Sequence, residues 1–336
     1  MARLGVDATS VAPDGKGIAR VQRHTIEALE RLGRHELVVF SRHPEALVTQ
    51  SYKVGWRPAL AWEQLGLPRA YRRHRLDALL TWSERLPLSG RGRYLVWLFE
   101  PPTHRIAANR ASGAGAYQRG ADLVTSLLWR RSLRRATAVF TGSDATREAL
   151  EVPARTLYPG LDPRFSLEAP GASNSELQAP YVFHLASGDP REDTDAALRA
   201  FAELDAPVRV AGGWIGPPQR NVEYLGRVPD DELVGLYRDA AAYVDTSRYE
   251  GFGYQVLEAM ACGTPVVATG GTSIPEIVGD AGIVCAPEEL AAELRRVLED
   301  DALAAKLRRR GFERAAQFTW ERVAMTIADA VDEVVV

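Results

Sequence analysis

Short apolar runs alternate with amphipathic stretches along the first half of the chain. Leu4–Asp7, Glu36–Phe40, Ala78–Thr81, Tyr94–Phe99 and Ala138–Thr141 have the length and apolar content of strands buried on both faces. Between them, Gly17–Leu32 sets Ile18, Val21, Ile26, Ala28 and Leu29 at helical spacing, and Ala121–Arg135 and a segment starting at Thr146–Leu150 read as further helices. Strands alternating with helices through short connections predict a doubly wound parallel sheet. Residues 166–180, SLEAPGASNSELQAP, have no period and are rich in Ser, Ala and Pro, which predicts a linker. A second series follows. Its strands are Tyr181–Leu185, Val208–Ala211, Ala242–Asp245, Val266–Ala268 and Ile283–Cys285. Its helices are Asp195–Leu204, Asp230–Asp239, Tyr254–Cys262, Glu288–Leu298 and Asp301–Gln317. The expectation is two Rossmann-like α/β domains, residues 1–165 and 181–317, facing a central cleft, with ligands outside the carboxyl ends of the strands.

The stretch from Tyr249 to Thr269, YEGFGYQVLEAMACGTPVVAT, carries the most chemistry. Glu250 precedes the glycines Gly251 and Gly253, a helix begins near Tyr254, Gly263 suits its left-handed close, and Pro265 forbids its continuation. The free N–H groups and positive dipole end of that helix, beside two glycines, suit a phosphate. Taken alone, Glu258 reads as a solvated helix residue and Glu250 as a loop charge. The whole string, however, resembles the signature of the retaining glycosyltransferases of family 4, which have the GT-B fold. That resemblance implies that Glu250 meets hydroxyls of a donor sugar and that Glu258 binds the ribose hydroxyls of its nucleotide. A carboxylate accepting two hydrogen bonds suits a vicinal diol. Gly251, Phe252, Gly253, Tyr254 and Gln255 belong to the same donor site on this reading. The closing segment FTWERVA, Phe318–Ala324, resembles the family's last helix, which crosses back to the first domain and here would fill about 318–336.

Other segments match the family pattern less fully. Ala186–Thr194, ASGDPREDT, resembles the loop in which a Gly, here Gly188, precedes a Pro-Arg-Lys sequence whose cations bind the donor diphosphate. Arg191 is present, but Glu192 stands where the Lys is expected. Glu192 therefore either points away, or the site differs, or it is degenerate. Asp193 or Thr194 is placed to cap the next helix. The loop Thr9–Arg20 has Gly15 and Gly17 but no third glycine, so it is not a dinucleotide fingerprint. It resembles the family's first glycine-rich loop, with Gly17 and the cation Lys16 near donor phosphates and acceptor. Glu100 follows Phe99 where the family has His-Asp, and either Glu100 takes over part of the missing His role or His104 does. Leu225-Gly226-Arg227-Val228 resembles a segment whose backbone meets the nucleobase, which assigns Arg227 and Val228 to the donor. Ser143 reads as a helix cap, and Ser273 with Glu276 as a capping box.

Composition narrows the classes. Apolar content of 46% and charged content of 25% are ordinary for a globular protein, and no apolar run approaches the roughly 20 residues that span a bilayer. Cys262 and Cys285 are the only cysteines, too few for a disulfide scaffold and in keeping with a reducing cytoplasm. The six histidines show no ligand spacing, so no metal is expected. Net charge is −3, but residues 1–165 carry 26 Lys and Arg against 15 Asp and Glu, and the remainder 15 against 29. The basic half suits an anionic acceptor, the inner face of an anionic membrane, or the acidic half; basic runs at Arg69–Arg75 and Arg130–Arg135 also fit solvated helix faces. No nucleic-acid motif is present. The resemblance implies a metal-independent transferase without a cofactor, moving a sugar from a nucleotide-sugar to the hydroxyl of a small molecule, glycan or glycolipid, with an α-linkage. The departures at Phe99 and Glu192 keep two alternatives open, a non-catalytic nucleotide-sugar-binding or regulatory GT-B domain and a sugar-nucleotide epimerase.

Overall fold

The computed structural model describes residues 1–13, 15, 17–89, 91–111, 115–165 and 180–335. Two compact units divide the chain, Met1–Gly160 with Thr319–Val336, and Leu161–Phe318. Most of the segment read as a linker, residues 166–179, lies outside the described residues, as does Lys16.

The first unit is built on strands β1 (Arg3–Asp7), β2 (Glu36–Ser41), β3 (Ser51–Lys53), β4 (Ala78–Thr81), β5 (Tyr94–Leu98), β6 (Ala138–Thr141) and β7 (Arg155–Thr156). They form one parallel sheet in the order β3-β2-β1-β4-β5-β6-β7. All of β4 and β5 is buried, which is why these strands read as continuous apolar runs rather than alternating ones. The helix Ile18–Leu32 buries Val21, Ile26 and Leu29 and closes on Gly33 at φ 62°, a left-handed cap. The helix Trp320–Val335 belongs to this unit and buries Val323, Ile327 and Val331. It lies along Ile18–Leu32: the rings of His24 and Trp320 are 5.3 Å apart and Arg34 pairs with Asp329 at 2.6 Å.

The second unit has strands β8 (Tyr181–Ala186), β9 (Val208–Gly212), β10 (Val222–Gly226), β11 (Ala240–Asp245), β12 (Val266–Thr269) and β13 (Ile283–Cys285). These are again all parallel, in the order β10-β9-β8-β11-β12-β13. In each sheet the order reverses direction at one pair, β1 and β4 in the first and β8 and β11 in the second. At such a switch point the loops leaving neighbouring strands diverge and open a crevice at their carboxyl ends.

Edge elements escaped the sequence reading. β3 is largely exposed and β10 mostly half-buried, and neither carries a continuous apolar run. The helical stretch from Ala59 to Arg73 was read only at its basic end, as a solvated helix face, and the helix Pro102–Ala111 was missed. The former holds Gly66 and Pro68 inside it, residues that read as breakers.

Candidate active site

The crevice of the second unit is bounded by two loops, 187–193 after β8 and 246–253 after β11. They are tied together: Asp193 N–H donates to Thr246 O at 2.8 Å, Arg248 N–H to Arg191 O at 2.7 Å, and Arg248 Nη2 pairs with Asp193 at 2.9 Å. Asp193 also caps the next helix, accepting from Ala196 N–H. Gly188, Arg191, Glu250 and the Gly251–Gln255 turn thus fall at one switch point.

Glu250 is half-buried. Burial, then the Asp245 carboxylate, push its carboxyl up to about 7, with Glu192 adding to the rise and Arg191 and Ser247 opposing it. Its main chain is held from β12's loop. Thr272 Oγ1 accepts from Glu250 N–H at 2.8 Å and Ser273 Oγ donates to Glu250 O at 2.9 Å. Thr272 holds φ at 28°, a costly conformation for a β-branched residue, so local strain is spent on this clamp. The capping box expected from Ser273 and Glu276 does not form, because the Ser273 hydroxyl is engaged by Glu250 and makes no cap bond. Gly271 is essential to the approach: a Cβ there would stand 1.9 Å from Ser247 O.

The helix Tyr254–Ala261 starts from Gly253 at φ 95°. Phe252 is buried, 4.9 Å from the Tyr254 ring and 5.7 Å from Phe318, which anchors the turn. Glu258 is 4% exposed, one turn into the helix, so it is not the solvated residue that its charge alone suggests. Its charge helps raise the phenols of Tyr237 and Tyr243, for which burial is the main cause.

Glu192 is the largest departure from expectation. Its carboxylate turns into the loop and accepts from Ser187 N–H at 3.0 Å, Gly188 N–H at 3.0 Å and Ser187 Oγ at 2.6 Å. It thereby satisfies the two amide groups at the end of β8. Arg191 is engaged as well, its guanidinium bidentate on Asp189 at 2.9 Å for both contacts, which holds the Asp189 carboxyl below its ordinary value. Arg227 is exposed beyond β10, with Val228 following; a Cβ on Gly213 would lie 3.2 Å from Ser187 O and 3.7 Å from Arg227 Nε. Ser187, Gly213, Thr272 and Ser273 take part in this arrangement although sequence reasoning gave them no such role; only their position just after strands signalled it.

The first unit has its own crevice, a cavity of about 360 Å³ at the β1–β4 switch point. Asp7 ends β1 and is buried, and burial raises its carboxyl against hydrogen bonds from Thr9, Trp62 and Thr81. Ion pairs Arg85–Glu63 and Arg105–Glu84 form its wall. Gln22 Oε1 and Trp82 Nε1, which also line it, are buried without a hydrogen-bond partner among the described residues. Glu100 is on its rim beside Phe99, whose carbonyl accepts from Thr146 Oγ1 at 3.1 Å, and Ser143 caps the helix Asp144–Ala149 as expected. Gly17 has φ 59° and ψ −122°, a conformation that only glycine adopts readily, and it opens the helix that supplies Gln22.

Residues 217–314 match the family described as Glycosyl transferases group 1. That segment, which holds Glu250 and Glu258, is thus similar to the group 1 glycosyl transferases. Beyond it, O-antigen chain mannosyltransferase B of Escherichia coli is 36% identical over 162 residues, 42% of this chain and 42% of that protein. The chain thus spans less than half the length of this curated relative. Among solved structures, sucrose-phosphate synthase from Thermosynechococcus elongatus superposes with a TM-score of 0.74 at 19% identity, covering 99% of each chain. An Anabaena protein in complex with UDP and glucose gives 0.71 at 17% identity, covering 99% of this chain and 100% of that one. These likenesses show the fold: two Rossmann-like parallel-sheet units of the GT-B glycosyltransferase kind, the class read from the sequence.

Proposed function

We propose that this chain transfers a sugar from a nucleotide-sugar to an acceptor hydroxyl, with retention, giving an α-linkage from an α-donor. The observation that carries this reading is the grouping of a desolvated Glu250, the glycine-opened start of the helix Tyr254–Ala261 and a buried Glu258 at one switch point. Glu250, whose carboxyl titrates at about 7, suits sugar hydroxyls as donor or acceptor of a hydrogen bond. Glu258 takes the ribose diol. The N–H groups of Tyr254 and Gln255 and the guanidinium of Arg191 stabilise the leaving diphosphate, the charge that grows in the transition state. These groups replace a divalent ion in the proposed chemistry. Gly188, Arg227 and Val228 line the donor side. The acceptor goes to the polar cavity of the first unit, where Asp7, Gln22, Trp82 and Glu100 offer both donors and acceptors to a hydroxylated, uncharged group. We place the reaction in the cytoplasm, in keeping with two free cysteines. Among the described residues no helix is long and apolar enough to cross a membrane.

Glu192 favours a second reading, a donor-binding domain without turnover, because its carboxylate stands in the loop where a diphosphate cation is expected. One experiment separates the two. Thermal unfolding is followed with UDP, GDP, ADP, CMP and dTDP for the wild type and Glu258→Ala, and turnover is then assayed with the matching nucleotide-sugars, with and without a chelator. A ligand at 100 times its Kd stabilises by about 2.7 kcal/mol, a shift of several degrees. A shift lost in the variant, with chelator-resistant turnover, supports the transferase. Binding without turnover supports the second reading, and no shift with any nucleotide removes both.

A further inference from the structure

A second concave site in the first unit has a different chemistry from the polar cavity. Its volume is about 660 Å³ and it lies against the edge strand β3 and the helix Leu67–Arg73. Its floor is aromatic: Phe40 is 5.8 Å from Trp62, and Tyr52 is 4.4 Å from the His74 imidazole. Its walls are cationic. Lys53, Arg57, Arg69 and Arg73 line it and no carboxylate does. Some exposed arginines elsewhere on this protein pair with carboxylates, as Arg3 does with Glu36 and Arg130 with Glu151, while others, such as Arg72 and Arg199, do not. The side chains of Arg57 and Arg73 likewise make no hydrogen bond or ion pair among the described residues. Arg69 stands 5.6 Å over the Trp56 ring, which keeps that guanidinium at the pocket wall.

Lys53 alone would be explained as a guard on an edge strand, where a charge blocks pairing with another chain. Arg57 and Arg73 are off the strand, so that explanation does not reach them. Like charges converging on one concavity repel, and the arrangement lowers stability unless an anion completes it. Guanidinium forks match the oxygens of a phosphate two at a time, and the aromatic floor accepts a ring or chain attached to it.

We propose that this pocket binds a phosphate ester, with Arg57 and Arg73 on the phosphate oxygens and Tyr52 and Trp56 against the group that carries it. Arg57 also lines a shallower cavity that runs past Thr9 and Arg42, both of which line the polar cavity. The two sites therefore adjoin along the strand ends. On the function proposed above, the phosphate ester would be part of the acceptor; the anion site itself does not rest on that reading.

The test uses the full chain and the double variant Arg57→Gln, Arg73→Gln. Glucose 6-phosphate and glucose are titrated by calorimetry, and co-sedimentation is measured with phosphatidylcholine vesicles with and without phosphatidylglycerol. Saturable binding of glucose 6-phosphate but not glucose, weakened at least about tenfold in the variant, supports a site for a soluble ester. Sedimentation that needs phosphatidylglycerol and is lost in the variant supports the same site filled by a lipid-borne phosphate. Both positive outcomes require the variant to unfold no lower than the wild type and to keep its nucleotide response. Absence of binding by either probe, or equal binding by the double variant, overturns the proposal. The nucleotide response reports on the transferase reading separately, so the two fail independently.

Discussion

The carboxylate of Glu192 and the main-chain N–H of Gly188 are joined by a hydrogen bond of 3.0 Å, four residues apart in one loop. With the two contacts to Ser187, this makes a side chain of the protein the occupant of a small anion-binding loop. Glu192→Ala should leave the two amides to water and cost about 1 kcal/mol of stability. It should also open the loop to an external anion. Added inorganic phosphate is therefore expected to raise the unfolding midpoint of the variant and leave that of the wild type unchanged. An equal response of both proteins would show that the loop does not take an anion in place of Glu192.

The same loop shows what a sequence does and does not disclose. Both sheets were legible because buried parallel strands such as Leu79–Leu80 and Val266–Val267 are unbroken apolar runs. The helix Tyr254–Ala261 was legible because Gly253, Gly263 and Pro265 mark its ends. Glu192 was visible as a charge of the wrong sign, but not its partners, since a carboxylate bonding to its own loop leaves no trace in residue spacing. Ser273 misled for a related reason: its capping position was sound, yet a stronger claim on its hydroxyl came from Glu250, 23 residues away. The exposed strand β3 and the aromatic floor beside it were missed because edge strands need no apolar run; the basic run Arg69–Arg75 was visible, but not the pocket that Arg69 and Arg73 line.

Glu250 predicts a pH dependence whose sign follows from its raised pKa. Its ordinary value is 4.5 and its value in the fold is about 7. Between these values the folded state holds a proton that the unfolded chain has lost. Stability contributed by that proton is present below about pH 4.5 and is lost as the pH rises through 7. Glu250→Gln removes the ionisation, so it should match the wild type near pH 4 and be the more stable protein at pH 8, by as much as about 3 kcal/mol. Melts at the two pH values check this. A variant that loses stability equally at both would mean that the carboxyl is stabilising and ionised throughout.

Two glycines give a contrast in strain. At Gly271 a Cβ would meet the backbone oxygen of Ser247 at 1.9 Å, and neither atom belongs to a flexible side chain. Gly271→Ala should cost more than about 2 kcal/mol and displace the loop that carries Glu250. At Gly17 no atom lies within 4 Å of the added Cβ, so Gly17→Ala meets only the backbone penalty of φ 59°, about 1 kcal/mol. Urea unfolding of the two variants measures the difference. Equal losses would mean that the Ser247 contact relaxes without cost.

Asp7 offers the corresponding test in the first unit. Burial raises its carboxyl, while Trp62 Nε1 at 3.1 Å and Thr81 Oγ1 at 3.1 Å support the charged form without cancelling the shift. The sign is that of Glu250: stability tied to the bound proton fades as the pH climbs past the raised value. Asp7→Asn keeps an oxygen for Trp62 and lets the Thr81 hydroxyl turn to accept, so the fold should survive and the decline in stability with rising pH should flatten. If Asp7 serves only the fold, transfer by the variant should equal that of the wild type. If its carboxylate orients the acceptor hydroxyl, kcat/KM should fall at least about tenfold while the nucleotide-induced rise in Tm stays intact. That separation, a lost rate with retained donor binding, would assign the polar cavity of the first unit to the acceptor.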